Sequence, residues 1–169
     1  MTDRRPSPRP TGHLVPVQPP VPITVWHLPT DTELVSAPLA QRLIANFTHR
    51  RDLILDGTNS AHLQRAAHLA GRRIRRRLAS HERAALIVMQ WPRQSAAGWL
   101  RTHTDRLRRA GCLVVALASG DAMMHPRVIS AARARGLTYV QHLVAVEAPA
   151  TDRMRVHADV LVFHGRADG

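Results

Sequence analysis

The apolar positions of this chain switch repeatedly between continuous short runs and helical spacing, and the switches mark its elements. Apolar runs stand at residues 23–28 (ITVWHL), 52–56 (DLILD), 85–91 (ALIVMQW) and 112–118 (CLVVALA). Runs of this length, branched and bounded by turn residues, predict strands, the last three buried on both faces. Between them the period lengthens. Leu39, Leu43, Ile44 and Phe47 recur at helical spacing, with Ser36 placed to cap the helix and Pro38 in its first turn, where a missing N–H costs little. A second helix is expected over about 60–70, with Leu63, Ala66, Ala67 and Ala70 on one face and Gly71 ending it. A third is expected over 96–110, carrying Trp99, Leu100, His103 and Leu107 on one stripe and closed by Gly111. A fourth is expected over 126–135, closed by Gly136. The segment RRIRRRL after Gly71 is too poor in apolar residues for a central strand and predicts a short edge strand or a helix extension.

The last third carries two strand-like segments, 137–146 and 156–164, joined by a stretch too short for a helical crossover. Such a connection implies an antiparallel hairpin at the end of an otherwise parallel sheet. The alternation as a whole predicts an α/β domain over residues 23–169. Residues 1–22 differ in kind. They hold seven of the twelve prolines, with Arg4, Arg5 and Arg9 among them. A stretch with so few backbone donors and so little to bury is expected to be a disordered or polyproline tail, and its PVQPPVP segment offers a ligand to a protein partner.

Composition narrows the chemistry. All 24 basic residues are arginines and the formal net charge is +12, which excludes lysine Schiff-base and P-loop chemistry. Guanidinium groups suit bidentate contact with phosphate, and a positive field of this size favours polyanions. Arg72, Arg73, Arg75, Arg76 and Arg77 form the densest basic cluster, a candidate nucleic-acid contact. The single cysteine, Cys112, lies inside an apolar run, so it is expected to be a buried hydrophobe in a reducing compartment. No apolar run approaches the roughly 18 residues of a membrane span, and a cytoplasmic location is expected. His103, His125, His142, His157 and His164 are scattered without zinc-type spacing, and no metal is expected.

Several segments are similar to a known family. APLAQRLI before the strand ending at Asp56, GRR after the next helix, then LRRAGCLVVAL, AARARGLTYVQHLVAV and HADVLVF share the cadence of class I S-adenosylmethionine (SAM) methyltransferases. The resemblance is to the kind that methylates DNA adenine N6 or cytosine N4. It implies a Rossmann-like three-layer sandwich, mostly parallel with a C-terminal antiparallel hairpin. It also implies that the turn Asp56, Gly57, Asn59, Ser60 occupies the cofactor position, with the helix N-terminus facing the SAM carboxylate. Gln90, Trp91 and Pro92 stand where the family places the group that accepts the target amino hydrogens and the aromatic that stacks on a flipped base.

All three family motifs depart from their pattern. The glycines that should follow Gly57 are replaced by Thr58, Asn59 and Ser60. Where an acid should accept the ribose hydroxyls there are arginines, which cannot accept a hydrogen bond, and the next acid is Glu82. Arg93 stands where the aromatic belongs. The reading is a degenerate, inactive or accessory methyltransferase-like module associated with nucleic acid. Its rivals are an active SAM-dependent methylase with a divergent loop, and a protein-interaction domain with a proline-rich arm.

Overall fold

The computed structural model describes residues 21–29, 31–91, 96–118, 124–147 and 155–165. The expected proline-rich tail, apart from its last two residues, and Pro92 lie outside them. Seven strands form one sheet: β1 Ile23–Leu28, β2 Leu53–Gly57, β3 Arg73–Arg75, β4 Ala84–Gln90, β5 Leu107–Ala118, β6 Thr138–Glu147 and β7 Val156–His164. Their spatial order is β1-β6-β7-β5-β4-β2-β3. Strand β7 runs antiparallel to both neighbours, and every other pairing is parallel. This is the Rossmann-like sheet with a C-terminal antiparallel hairpin.

Helices α1 (Ala37–Phe47) and α2 (Ala61–Leu69) cover one face. Leu39, Leu43 and Leu63 pack there against Ile54, Leu86, Val88 and Val114. Helices α3 (Ala96–Thr104) and α4 (His125–Ala134) cover the other. Leu100, Val128 and Ala132 pack there against Ile87, Leu113, Val115 and Phe163. Successive residues of β4 and β5 thus feed opposite cores, which is why these strands read as unbroken apolar runs. The predicted cap forms at Ser36, whose hydroxyl accepts the Leu39 amide, and Ser60 caps α2 in the same way through the Leu63 amide, each at 3.3 Å.

The run after Gly71 is the short edge strand, three residues long and paired to β2. The strand expected over 23–28 forms β1, which pairs with β6 over six residues at the sheet's edge. One expectation changes. The third helix stops at Thr104, and Leu107 already pairs with Ala84 in β5. Gly111 therefore closes no helix. It sits inside β5 where a Cβ would lie 2.9 Å from the Arg108 carbonyl and 3.0 Å from that of Ala85, beside a register shift and Ala110 at φ 53°. The pattern of 96–110 misled because Leu107 continues the helical spacing, yet its partner lies on another strand.

Candidate functional site

The chain passes from β2 through α2 on one face to β3 on one side, then returns to β4 on the other side of β2 and continues through α3 on the opposite face. The direction of winding therefore reverses between β2 and β4. In open α/β sheets, ligands bind outside the carboxyl ends of the strands at such a reversal, because the diverging connections leave a crevice there. The residues at that reversal are Asp56 and Gly57 from β2 and Gln90 at the end of β4 with Trp91 just after it, aligned by the pairings Asp56 to Val88 and Gly57 to Met89. The fold thus brings the expected cofactor and target segments together.

Asp56 is 3% exposed. Its Oδ1 accepts the Thr58 amide at 2.9 Å, the Thr58 hydroxyl at 2.7 Å and the Asn59 amide at 3.0 Å, and its Oδ2 accepts the Gln64 side-chain amide at 3.3 Å. Asn59 takes a left-handed φ of 64°, closing the turn onto the carboxylate. Ser60 accepts the Leu63 amide and donates to the Val35 carbonyl at 3.2 Å, tying α2 to the segment before α1. A Cβ on Gly57 would lie 3.2 Å from the Val88 carbonyl and 3.3 Å from Met89 Cγ. The glycine is explained by contact with its neighbouring strand.

Gln90, the last residue of β4, is exposed, and Trp91 after it is half-buried, packed against the core beneath α3 and α4 and donating its backbone N–H to the Ala116 carbonyl at 3.1 Å.

The five clustered arginines separate. Arg72 donates Nε to the Thr48 hydroxyl and Nη2 to the Thr48 carbonyl, each at 3.1 Å, and Nη1 to the Ala70 carbonyl. It is a clasp between the C-terminal ends of α1 and α2. Arg73 reaches the Arg51 carbonyl at 3.4 Å, and Arg75 lies 3.7 Å from Glu82. Glu82 meanwhile accepts the Ala79 amide, and that bond, with Arg75 adding to it, holds its carboxyl below the ordinary range. It is a turn cap. Arg76 and Arg77 are exposed. Arg75 and Arg76 join Gln64, His68 and Ile74 around a cleft of about 200 Å³ between α2 and β3. A second cleft of about 280 Å³, at the amino edge of the sheet, includes Arg108 and Arg135. Both of those arginines are paired at 2.8 Å, with Asp52 and Asp105.

The structure also gathers residues that sequence spacing did not. His125 in the first turn of α4, His142 in β6 and Asp159 in β7 place their ligand atoms within 4.8 Å of one another. His142 Nε2 lies 2.9 Å from Asp159 Oδ1. Burial pushes the His125 imidazole pKa down against the pull of the Asp159 charge, and His142 adds to the depression. Three separate elements supply these residues, so no local motif could announce them.

Among solved structures, this chain resembles a protein of Streptococcus mutans described as a SAM-dependent methyltransferase. The TM-score is 0.55 at 10% identity, over 74% of this chain and 47% of that one. A Thermoplasma acidophilum protein described as a methyltransferase gives 0.51 at 11% identity, covering 89% of this chain and 70% of its own. The precorrin-6y C5,15-methyltransferase of Geobacter metallireducens gives 0.50 at 6%, covering 83% and 93%. The chain spans about half the length of the first of these. At such identities the likeness is one of fold, and that fold is the methyltransferase type of α/β sandwich. No family profile and no curated protein matches the sequence.

Proposed function

We propose that this chain is a methyltransferase-fold domain that has lost methyl transfer and serves as an accessory module on nucleic acid. The observation that carries the reading is the state of Asp56. Three donors of its own turn occupy Oδ1 and Gln64 occupies Oδ2, so the carboxylate at the strand end is spent on shaping the turn. A buried carboxylate with four partners has little to gain by exchanging them for a ligand. The fit of SAM fails at further places. No glycine follows Gly57 to let the backbone approach a ligand, and arginines stand at the end of β3, where the ribose needs an acceptor. No step of methyl transfer is therefore assigned to Gln90, Trp91 or Pro92.

The polyanion half of the reading rests on charge. The protein carries a formal +12, and Arg75, Arg76 and Arg77 lie exposed along and beyond an edge strand, two of them at the rim of a cleft that holds the polar side chains of Gln64 and His68. Phosphate oxygens offer what guanidinium and amide donors seek, without any need for base contacts. Calorimetry of the full chain with SAM and S-adenosylhomocysteine tests the first half: no heat at millimolar ligand is expected, and micromolar binding abolished by Asp56→Ala would sink it. Titration of duplex DNA and single-stranded RNA against salt tests the second. The expected result is a log–log slope that falls by about one per contacted phosphate when Arg76 or Arg77 becomes alanine.

A further inference from the structure

Another polar grouping at the carboxyl side of the sheet lies under α4, on the face opposite α1 and α2. Asp159 pairs across β7 with Leu117 near the end of β5 and with Val144 of β6, which places it and His142 on the same face as the first turn of α4. The His142 to Asp159 contact, at 2.9 Å, is a complete hydrogen bond. His125 has no such explanation. Its Nε2 is buried and, among the described residues, without a hydrogen-bond partner, and it lies 3.7 Å from Asp159 Oδ2, too far to bond. The two imidazoles meet edge to face with centroids 5.0 Å apart, so a second nitrogen approaches the same carboxylate without engaging it.

We propose that His125 Nε2, His142 Nε2 and an Asp159 carboxylate oxygen form a binding site for a divalent first-row transition metal ion. Two imidazoles and one carboxylate are a donor set that zinc, iron(II) and cobalt(II) accept, with positions left for water. Size agrees. A tetrahedral ion about 2.0–2.1 Å from each donor holds the donors roughly 3.4 Å apart, and the two separations, 2.9 Å from His142 Nε2 to Asp159 Oδ1 and 3.7 Å from His125 Nε2 to Asp159 Oδ2, lie on either side of that spacing. An ion there would replace the one satisfied contact with three and give the stranded nitrogen a partner. The side chains are 19%, 17% and 14% exposed, low enough to hold an ion away from bulk water and open enough to admit one. His142 and Asp159 come from adjacent strands, so sheet register sets their spacing, and His125 comes from the first turn of α4.

The test is a cobalt(II) titration of the full chain after chelator treatment, read by visible ligand-field absorption, followed by displacement with zinc. One equivalent giving a low-symmetry cobalt spectrum is expected, with a rise in melting temperature on zinc addition. Removal of a direct ligand in His125→Ala should weaken binding by more than the roughly 10–100-fold that loss of an outer-shell partner costs. The exposed His81→Ala should leave it unchanged. Asp159→Asn should abolish the spectrum. His125→Ala keeps the test open if Asp159→Asn does not fold, because the His125 Nε2 has no hydrogen-bond partner among the described residues for the fold to lose. No ligand-field band in the wild-type chain, or a band that survives His125→Ala intact, overturns the site and leaves His142 and Asp159 as a structural pair.

Discussion

Two aspartates stand toward the same edge of the sheet, and they are held in opposite ways. Asp56, at the end of β2, is closed by four donors from its own turn and the following helix. Asp159, near the start of β7, has one hydrogen-bonded histidine and a second at 3.7 Å whose nitrogen is stranded among the described residues. The first lies where the fold leads one to look for a ligand, and its carboxylate is already engaged by its own turn and helix. The second lies two strands further along the sheet from β4, and its chemistry is unfinished. Place in the fold and readiness to bind are therefore separate properties: topology opens the crevice, while hydrogen-bond accounting decides whether anything is left to offer.

The largest effect should come from breaking the closed site. Asp56→Ala strands two backbone amides, the Thr58 hydroxyl and the Gln64 amide around a buried position, and a loss of about 3 kcal/mol is expected in urea unfolding. A loss below about 1 kcal/mol would mean that the turn does not need the carboxylate, which would reopen it for a ligand. Next is the basic cluster, whose members should divide in the same manner. Arg72→Ala removes three bonds joining two helix ends and should cost about 2 kcal/mol. Arg76→Ala and Arg77→Ala should each change stability by less than about 0.5 kcal/mol, any effect appearing in salt-dependent nucleic-acid binding.

The open site should respond in the opposite direction. With chelator present, His125→Leu replaces a stranded buried nitrogen by an apolar side chain of similar reach and should stabilise the chain by about 0.5–1 kcal/mol, measured by thermal melting. A destabilisation above about 1 kcal/mol would show that His125 has a structural partner. The smallest effect is expected at the amino edge. Burial pushes the Asp52 carboxyl up, but the His49 amide and the Arg108 guanidinium outweigh it and hold its pKa below the ordinary value. A depressed carboxyl contributes stability at pH values above its unfolded pKa, about 3.9, and loses it as pH falls through the lower folded value. Acid titration of Arg108→Ala should accordingly show a shallower loss below about pH 4 than the wild-type chain.

Much of the fold could be read from the chain because its signals are local. Ser36 caps its helix as expected, since a capping hydroxyl reaches only three residues ahead. The buried strands β2, β4 and the core of β5 were plain because both faces are covered, which leaves no polar position to blur the run. Cys112 is buried, and burial raises its thiol pKa as an inert core position requires. What misled was equally local. Gly111 looked like a helix terminator, and only its closeness to the Arg108 and Ala85 carbonyls shows why a strand needs it. The five arginines looked like one patch, although Arg72 is turned inward and Arg76 outward.

Sequence alone determined the layered α/β order, the caps, the cysteine's place and the absence of the glycine-rich loop, because each depends on residues close together in the chain. Tertiary structure decided the rest. It placed β1 at the sheet edge, filled the Asp56 carboxylate and brought His125, His142 and Asp159 within 4.8 Å. These depend on which strands become neighbours and in what register. A one-residue slip in either pairing of β7 would turn Asp159 to the other face, and pairing between segments far apart in the chain leaves no periodic trace within either one.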